Sequence, residues 1–235
     1  MHPRIVGIHP IDGDLRFLKK MVRLLDNELG SDFKYLRLTN NRLSHAKCKD
    51  SIRGAGPYDT LLFLCHGRST GILGCNFMPQ ISKHPRRYEH GELLSNGSFD
   101  ALRDRKVFCM TCDSNSFAEV AIREGARVFV GFGNIYFDRK DLIETGKWSK
   151  NVVDITKHRL RECVLSAILY AWEKNLTYSQ CIYRIKLLIN IANDNLILGY
   201  KHHRGKKFYH RAADNLQLIK EGIRVWGDGD LRLYD

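Results

Sequence analysis

The sequence lacks any hydrophobic run long enough to cross a membrane. Its most apolar stretch, residues 164–172, is less than half of the roughly 20 residues that a transmembrane helix needs. Near the start, only residues 5–8 are apolar before His9 and Pro10, which is too short for the core of a secretory signal peptide. We therefore expect no membrane span and no export by that route.

The cysteines lack the regular spacing of a disulfide-stapled protein. Seven of them, an odd number, are scattered between Cys48 and Cys181, which favours reduced thiols in the cytoplasm. No internal repeat or low-complexity tract is present among the 235 residues, and this length is often filled by one α/β domain. We expect a single domain over residues 1–235. The polar stretch at residues 138–154 is a candidate for a mobile connection within it.

Short apolar runs alternate with helical patterns along the chain. We predict strands at residues 4–9, 33–38, 60–65, 107–111 and 127–132. The spacing of leucine and valine predicts a helix over residues 15–29, with Asp14 placed to cap its start and Gly30 its end, and a shorter helix is predicted at residues 117–125. Residues 39–57 fit either a partial helix or a long surface loop.

Two further helices are predicted after residue 154, each from one apolar face. The first face consists of Leu160, Val164, Ala167 and Ala171, and the second of Ile182, Ile185, Ile189, Ala192 and Leu196. Strands that alternate with helices predict an α/β fold, with helices packed on a central, mostly parallel sheet and right-handed crossovers.

Two residues with reactive side chains follow predicted strands directly. His66 follows the run TLLFLC, and Cys112 follows the run KVFCMT. Functional groups gather at the carboxyl ends of parallel strands, so neighbouring strands would bring this imidazole and thiol together. A thiolate is a nucleophile, and a nearby histidine can take the thiol proton and later give it to a leaving amine. The pattern predicts a Cys112/His66 catalytic dyad.

The surrounding residues suit the stabilisation of an oxyanion. A helix predicted to begin near Ser114 or Ser116 would favour a thiolate at Cys112, and the backbone amide of Cys112 could donate to an oxyanion. Gly67 allows close backbone approach, so its amide is the second expected donor. Asp113 opposes this arrangement, because a carboxylate beside the thiol disfavours the thiolate unless it points away.

Five of the other cysteines are expected to be small core side chains. These are Cys65, Cys75, Cys109, Cys163 and Cys181. Cys109 and Cys112 form a C-x-x-C pair, which would fit a redox or zinc site. A redox site is disfavoured because Cys109 lies inside the apolar strand. A zinc site would need a second ligand pair, and His202 and His203 are unsuitable because they are adjacent and flanked by basic residues. We expect no metal.

Basic residues outnumber acidic ones, with a net charge of +12. The excess favours acidic partners. The tract at residues 200–211 (YKHHRGKKFYHR) interleaves cations with aromatic rings, as surfaces that bind single-stranded nucleic acid do. The alternatives are therefore a nucleic-acid-binding regulator built on this tract, or a solvated loop that only aids solubility.

Three strings resemble the caspase-like CHAT peptidases of clan CD. They are YDTLLFLCHG (58–67), KVFCMTC (106–112) and EGARVFVGFG (124–133), and the ending GDGDLRLYD resembles the close of CHAT and gingipain-type members. His66 and Cys112 are 46 positions apart, near the roughly 50 residues noted for caspases. The chain departs from the family at Thr111, where CHAT members usually have alanine, and it lacks the caspase and metacaspase cysteine motifs. Aspartate specificity is therefore not assumed.

The resemblance implies a caspase-type three-layer α/β/α sandwich and an endopeptidase without a cofactor. His66 would be general base and then acid, Cys112 the nucleophile, and the amides of Gly67 and Cys112 the oxyanion hole. Small stand-alone members of that family, which this chain resembles, occur in bacterial immunity loci, and the resemblance implies a protein substrate such as a gasdermin and an activating regulatory protein. A catalytically silent interaction module is the alternative. No substrate-binding residue can be assigned.

Overall fold

The structure is a computed structural model that describes residues 4–13, 15–77, 89–135, 149–201 and 207–234. In chain order its strands are β1 (Ile5–Pro10), β2 (Phe33–Leu38), β3 (Thr60–Phe63), β4 (His66–Arg68), β5 (Gly71–Phe77), β6 (Glu89–Ser95), β7 (Lys106–Cys109), β8 (Val128–Gly131) and β9 (Arg224–Gly227). Its helices are α1 (Lys19–Leu29), α2 (Arg42–Arg53), α3 (Asn115–Arg123), α4 (Lys150–Glu173), α5 (Tyr178–Lys201) and α6 (Lys207–Glu221).

The centre of the molecule is a six-stranded sheet. Its order is β2-β1-β3-β7-β8-β9, and all neighbouring strands are parallel except the β8–β9 pair. Strands β1, β3, β7 and β8 are buried along their whole length. This burial explains why their sequences are almost continuously apolar, since each face of the sheet must be covered.

Helices cover the sheet on both faces. Alternate strand residues such as Leu62, Phe108 and Val130 pack into one core together with buried residues of α1, α4, α5 and α6. The intervening residues, such as Phe63 and Phe129, pack into a second core with α2 and α3. The chain therefore has a mixed α/β fold with a mostly parallel central sheet, as the sequence predicted.

Strands β4, β5 and β6 form a separate antiparallel sheet that the sequence analysis did not predict. Two residues, Leu64 and Cys65, separate the end of β3 at Phe63 from the start of this sheet at His66. The β5–β6 pairing contains register shifts. Irregular pairing of this kind removes the strict alternation that a strand prediction relies on.

Most of the predicted elements are confirmed. The five predicted strands and the helices at α1, α3, α4 and α5 are present within a few residues, and Gly30 ends α1 in a left-handed conformation. Residues 39–57, whose sequence fits either a partial helix or a long surface loop, contain α2. Asp14, the predicted cap, lies outside the described residues, and the described start of α1 is preceded by a 3₁₀ turn at Arg16–Leu18 without a side-chain cap.

The connection predicted at residues 138–154 needs a correction at its end. Residues 138–148 lie outside the described residues, but α4 begins at Lys150, and the Ser149 side chain accepts a hydrogen bond from the Val152 amide at 3.4 Å. A capped helix start is therefore present where the polar composition suggested a linker.

In the described part of the chain, none of the helices combines the length and the apolar character that crossing a membrane requires.

The last residues of the chain pack against the amino-terminal ends of the central strands. The buried Lys106 Nζ donates to the carbonyl oxygens of Arg232 and Leu233 at 2.9 and 3.2 Å. Thr60 Oγ1 lies 2.7 Å from the hydroxyl of Tyr178, which is fully buried, and 3.3 Å from the Leu233 carbonyl oxygen. These contacts join the sheet, α5 and the tail at the end opposite the predicted site.

We expect Tyr178→Phe to lower the free energy of unfolding by about 1 kcal/mol, because it removes a buried hydrogen bond and leaves the packing volume unchanged. The matched control is Tyr183→Phe, since the Tyr183 side chain on the same helix is largely exposed. Urea unfolding followed by circular dichroism measures both variants. Equal stability of the two variants would contradict the expectation.

Candidate active site

The predicted site residues lie at the carboxyl end of the central sheet. Strands β3 and β7 are neighbours in parallel register, with Phe63 paired to Cys109. The ladder continues one step further, where the Met110 amide donates to the Phe63 carbonyl at 2.9 Å. His66 and Cys112 are each the third residue after that pair. The prediction that both residues leave the same edge of the sheet is confirmed.

Gly67 brings the backbone of the two segments into contact. A Cβ atom on Gly67 would overlap the carbonyl oxygen of Cys112, and it would lie 2.7 Å from Thr111 Oγ1. Only glycine allows this approach, because any side chain would push the two segments apart. The pairing of His66 with Leu73 and of Gly67 with Ile72 fixes β4 from the other side. The main chain beside His66 therefore lies directly against that of Cys112.

Cys112 differs from the other cysteines in its exposure. All seven cysteines are within the described residues and carry free thiols, and only Cys112 is partly exposed. Burial raises the pKa of Cys109 to about 12 and that of Cys163 to about 11, and it raises the pKa of Cys65 well above its ordinary value. These thiols are protonated and enclosed. Cys112 is the accessible thiol, as the sequence predicted.

The Cys112 thiol has a backbone acceptor in this structure. Its Sγ donates to the Ile135 carbonyl oxygen at 3.1 Å. Ile135 is buried and lies in the segment that follows β8. A carbonyl can only accept a hydrogen bond, so this contact favours the protonated thiol over the thiolate.

The turn after Cys112 is held by several hydrogen bonds. Asp113 has a φ of 56°, in the left-handed region, and its amide donates to the Gly133 carbonyl at 3.0 Å. Its Oδ1 accepts a hydrogen bond from Ser116 Oγ at 2.7 Å. The carboxylate that could oppose a thiolate is thus bound to the first turn of α3. A non-glycine residue in this conformation is strained, and such strain is common beside functional groups.

Helix α3 begins where the sequence predicted, with Ser114 at its N-cap position. The Ser114 side chain does not cap the helix. Its Oγ accepts from the Phe132 amide at 2.8 Å and lies 2.9 Å from the Cys109 carbonyl oxygen. Asn115 extends this network, because its Nδ2 donates to the Gly222 carbonyl at 2.6 Å and its Oδ1 accepts from Trp226 Nε1 at 3.0 Å. The loop after the thiol is therefore tied to β8, β9 and α6.

Asp12 is a member of the site that the sequence analysis missed. Its Oδ2 lies 3.4 Å from His66 Nε2, and the two side chains are 11% and 21% exposed. This close polar contact is longer than a well-aligned N–H···O hydrogen bond. Asp12 follows β1, the neighbour of β3 on the side away from β7. An aspartate in a turn carries no signal that would connect it with a histidine so far along the chain.

His9 lies behind this contact as a second, buried histidine. Its Nε2 is 3.2 Å from the Leu15 carbonyl oxygen, and its Nδ1 is 3.3 Å from the Tyr35 hydroxyl. Because a carbonyl only accepts, we assign the proton to Nε2, which leaves Nδ1 to accept from Tyr35. Burial lowers the pKa of His9, although Asp12 acts in the opposite direction. His9 is therefore a neutral part of the wall behind the site.

The basic tract does not present all its rings to solvent. Residues 202–206 lie outside the described residues, and α6 begins at Lys207. Phe208 and Tyr209 pack partly against the main core. Two of the three rings of the tract are thus used for packing.

Among the described residues, no group of three or more His, Cys, Asp or Glu side chains could hold a metal ion.

The chain was compared with protein-family models and with curated proteins, and neither comparison found a match. The functional proposal below therefore depends on the contacts of His66, Gly67 and Cys112 themselves.

We expect Gly67→Ala to lower the free energy of unfolding by about 1 to 3 kcal/mol, because the new methyl group overlaps the Cys112 carbonyl. Gly199→Ala is the matched control, since a Cβ at this helical position meets nothing within 4 Å. The control should be unchanged or slightly more stable. Urea unfolding measures both, and a Gly67→Ala protein as stable as the control would show that the contact is not tight.

The buried histidines predict a loss of stability in mild acid. Burial lowers the pKa of His9 and His45 in the folded state, so below about pH 6.5 the unfolded chain binds more protons. The free energy of unfolding should be constant above that pH and fall as the pH drops toward the folded pKa. His9→Gln should reduce this slope, and His210→Gln, an exposed control, should not. Urea unfolding at several pH values tests this, and equal slopes for wild type and His9→Gln would contradict it.

Proposed function

We propose that this chain is a cysteine endopeptidase that cleaves a protein partner, with Cys112 as nucleophile and His66 as general base and then acid. The observation that carries the proposal is the register of β3 and β7, which brings a histidine and the accessible thiol to one sheet edge. A thiol and an imidazole from neighbouring strand ends are the minimal machinery for acyl transfer. Both chemical roles require only groups that the chain itself carries.

The reaction follows from these positions. His66 takes the proton from the Cys112 thiol, and the thiolate attacks the carbonyl carbon of the scissile peptide bond. The amides of Gly67 and Cys112 donate to the oxyanion that forms. His66 then gives its proton to the leaving amine, the C–N bond breaks, and a thioester remains on Cys112. Water attacks the thioester with His66 again as base, which releases the acid product and restores the thiol.

The hydrogen bond from Cys112 to the Ile135 carbonyl affects the first step. The thiol proton must leave this acceptor and move to His66 before attack can occur. Movement of the segment after β8 away from Sγ would favour that transfer. This arrangement supports a resting enzyme whose activity depends on a regulatory protein, because a bound protein could hold the segment in another position.

The finer architecture belongs to the same proposal. We infer a caspase-like α/β/α sandwich of the CHAT type, supported by a mostly parallel central sheet with helices on both faces. The motif resemblance supports a role in antiviral defence in the bacterial cytoplasm, with a gasdermin-like protein as substrate. The net charge of +12 would favour an acidic substrate or regulator by long-range attraction.

A protein partner is favoured over a nucleic acid by the packing of the basic tract. Stacking on bases requires exposed ring faces. Phe208 and Tyr209 are instead partly buried against the core. The remaining cations can still attract acidic proteins, so the charge of the tract is consistent with the protease proposal.

The test is cleavage of a proteome-derived peptide library, read by mass spectrometry. Wild type should produce new termini with a consistent residue preference. Cys112→Ala and His66→Ala should each slow their appearance by about 10³-fold or more, because the nucleophile and its base act as a unit. His158→Ala, at a more exposed histidine on α4, is the matched control and should cleave as wild type does.

Circular dichroism and unfolding midpoints should be similar for all four proteins. Cleavage by Cys112→Ala at the wild-type rate would remove the proposal. The absence of cleavage by wild type, also in the presence of its regulatory partner, would favour a catalytically silent interaction module.

A further inference from the structure

We propose that Asp12 is a positioning residue that orients His66, so that carboxylate, imidazole and thiol act in series at the ends of three neighbouring strands. This inference rests on the proposed function, because it assigns a role in the activation of Cys112. It assigns to the site a third side chain, from a strand that neither His66 nor Cys112 belongs to.

The topology of the sheet gives the three groups their order. Ile8 of β1 pairs with Phe63 of β3, and Phe63 pairs with Cys109 of β7. The chain runs three or four residues past this row in each case before it reaches a functional side chain. Asp12, His66 and Cys112 therefore leave the same edge of the sheet, with the histidine after the middle strand, β3.

The loop that carries Asp12 is fixed by its backbone. The Ile11 amide donates to the Leu38 carbonyl at 2.9 Å, and the Asp12 amide donates to the Pro10 carbonyl at 3.0 Å. These bonds extend the β1–β2 pairing beyond the strands and close a tight turn. A side chain on such a turn has a defined position, which a positioning residue requires.

The contact between Asp12 and His66 lies in a partly enclosed environment. Their side chains are 11% and 21% exposed, and the closest atoms are Oδ2 and Nε2 at 3.4 Å. Charges that are largely removed from water interact more strongly than the same charges on the surface. The Asp12 carboxylate thus holds the His66 ring more firmly than an exposed carboxylate would.

The contact also selects a tautomer. With Nε2 directed to a carboxylate, the neutral ring carries its hydrogen on Nε2 and keeps the lone pair on Nδ1. The proton from the Cys112 thiol then moves to Nδ1, which forms a thiolate and an imidazolium. Asp12 remains ionised throughout and accepts no proton. The proton on Nδ1 later moves to the leaving amine, which returns His66 to its neutral form.

The neighbouring titratable groups do not take over the role of His66. His9, from β1, is kept neutral because burial lowers its pKa, and it therefore does not compete as a cation for Asp12. Cys75, from β5, is kept protonated because burial raises its pKa, and the Asp12 charge acts in the same direction. Lys19, from α1, is a further charge near His9.

The experiment measures the alkylation of Cys112 by iodoacetamide as a function of pH, with the labelled residue identified by peptide mass spectrometry. It requires no substrate. In Asp12→Asn, which has nearly the same shape, the profile should move to higher pH, and the rate at pH 7 should fall by about tenfold, because the ring is no longer held in the orientation that takes the thiol proton. Asp26→Asn, on the exposed face of α1, makes the same change of charge and should leave the profile unchanged.

A double-mutant cycle with His66→Gln separates positioning from a purely structural role. If Asp12 acts through the imidazole, Asp12→Asn should have no further effect on alkylation in the His66→Gln background. An equal effect in both backgrounds, or an unshifted profile in Asp12→Asn, overturns the inference. If Asp12→Asn folds poorly, Asp12→Glu, which keeps the charge, takes its place. Its profile must stay close to that of wild type, and a shift as large as that of His66→Gln overturns the inference as well.

The two proposals fail in different ways. If His66→Gln itself leaves the alkylation profile unchanged, the imidazole does not activate the thiol and the proposed protease function fails. If His66→Gln shifts the profile and Asp12→Asn does not, the dyad stands and only the role of Asp12 is removed.

Discussion

The parallel register of β1, β3 and β7 is the constraint on which the rest of the site depends. It is set by burial, because these strands are enclosed on both faces and a slip by one residue would exchange the side chains of the two cores. Once Ile8, Phe63 and Cys109 form one row, the loops that follow must meet at one edge. The core packing of the sheet thus fixes which side chains lie at its end.

The approach of Gly67 to Cys112 is the second constraint. It couples the small antiparallel sheet to the central one, since β4 starts at His66 and lies against the segment after β7. The turn after Cys112 is held in the same way by Gly133 and Ser116. The backbone on either side of the thiol is therefore held by contacts with Gly67 and Gly133, and Sγ itself donates to the Ile135 carbonyl.

The sequence predicted the central sheet and the positions of His66 and Cys112 well, because continuous apolar runs mark buried strands and residues after them fall at the sheet edge. It did not predict β5 and β6, whose irregular pairing breaks the alternation of side chains, or β9, which is short and only partly buried. Helix α6 was not predicted from the sequence, because its start overlaps the basic tract. Asp12 was missed because its contact with His66 is made only in three dimensions.

The arrangement of the site across three separate strands has a consequence for how it comes into being. No continuous segment shorter than residues 12–112 contains all three groups, and each strand pairing joins parts of the chain that are distant in sequence. Such non-local pairings form late and slowly during folding. A nascent or truncated chain that lacks β7 has His66 without Cys112, so the proposed chemistry requires the complete sheet.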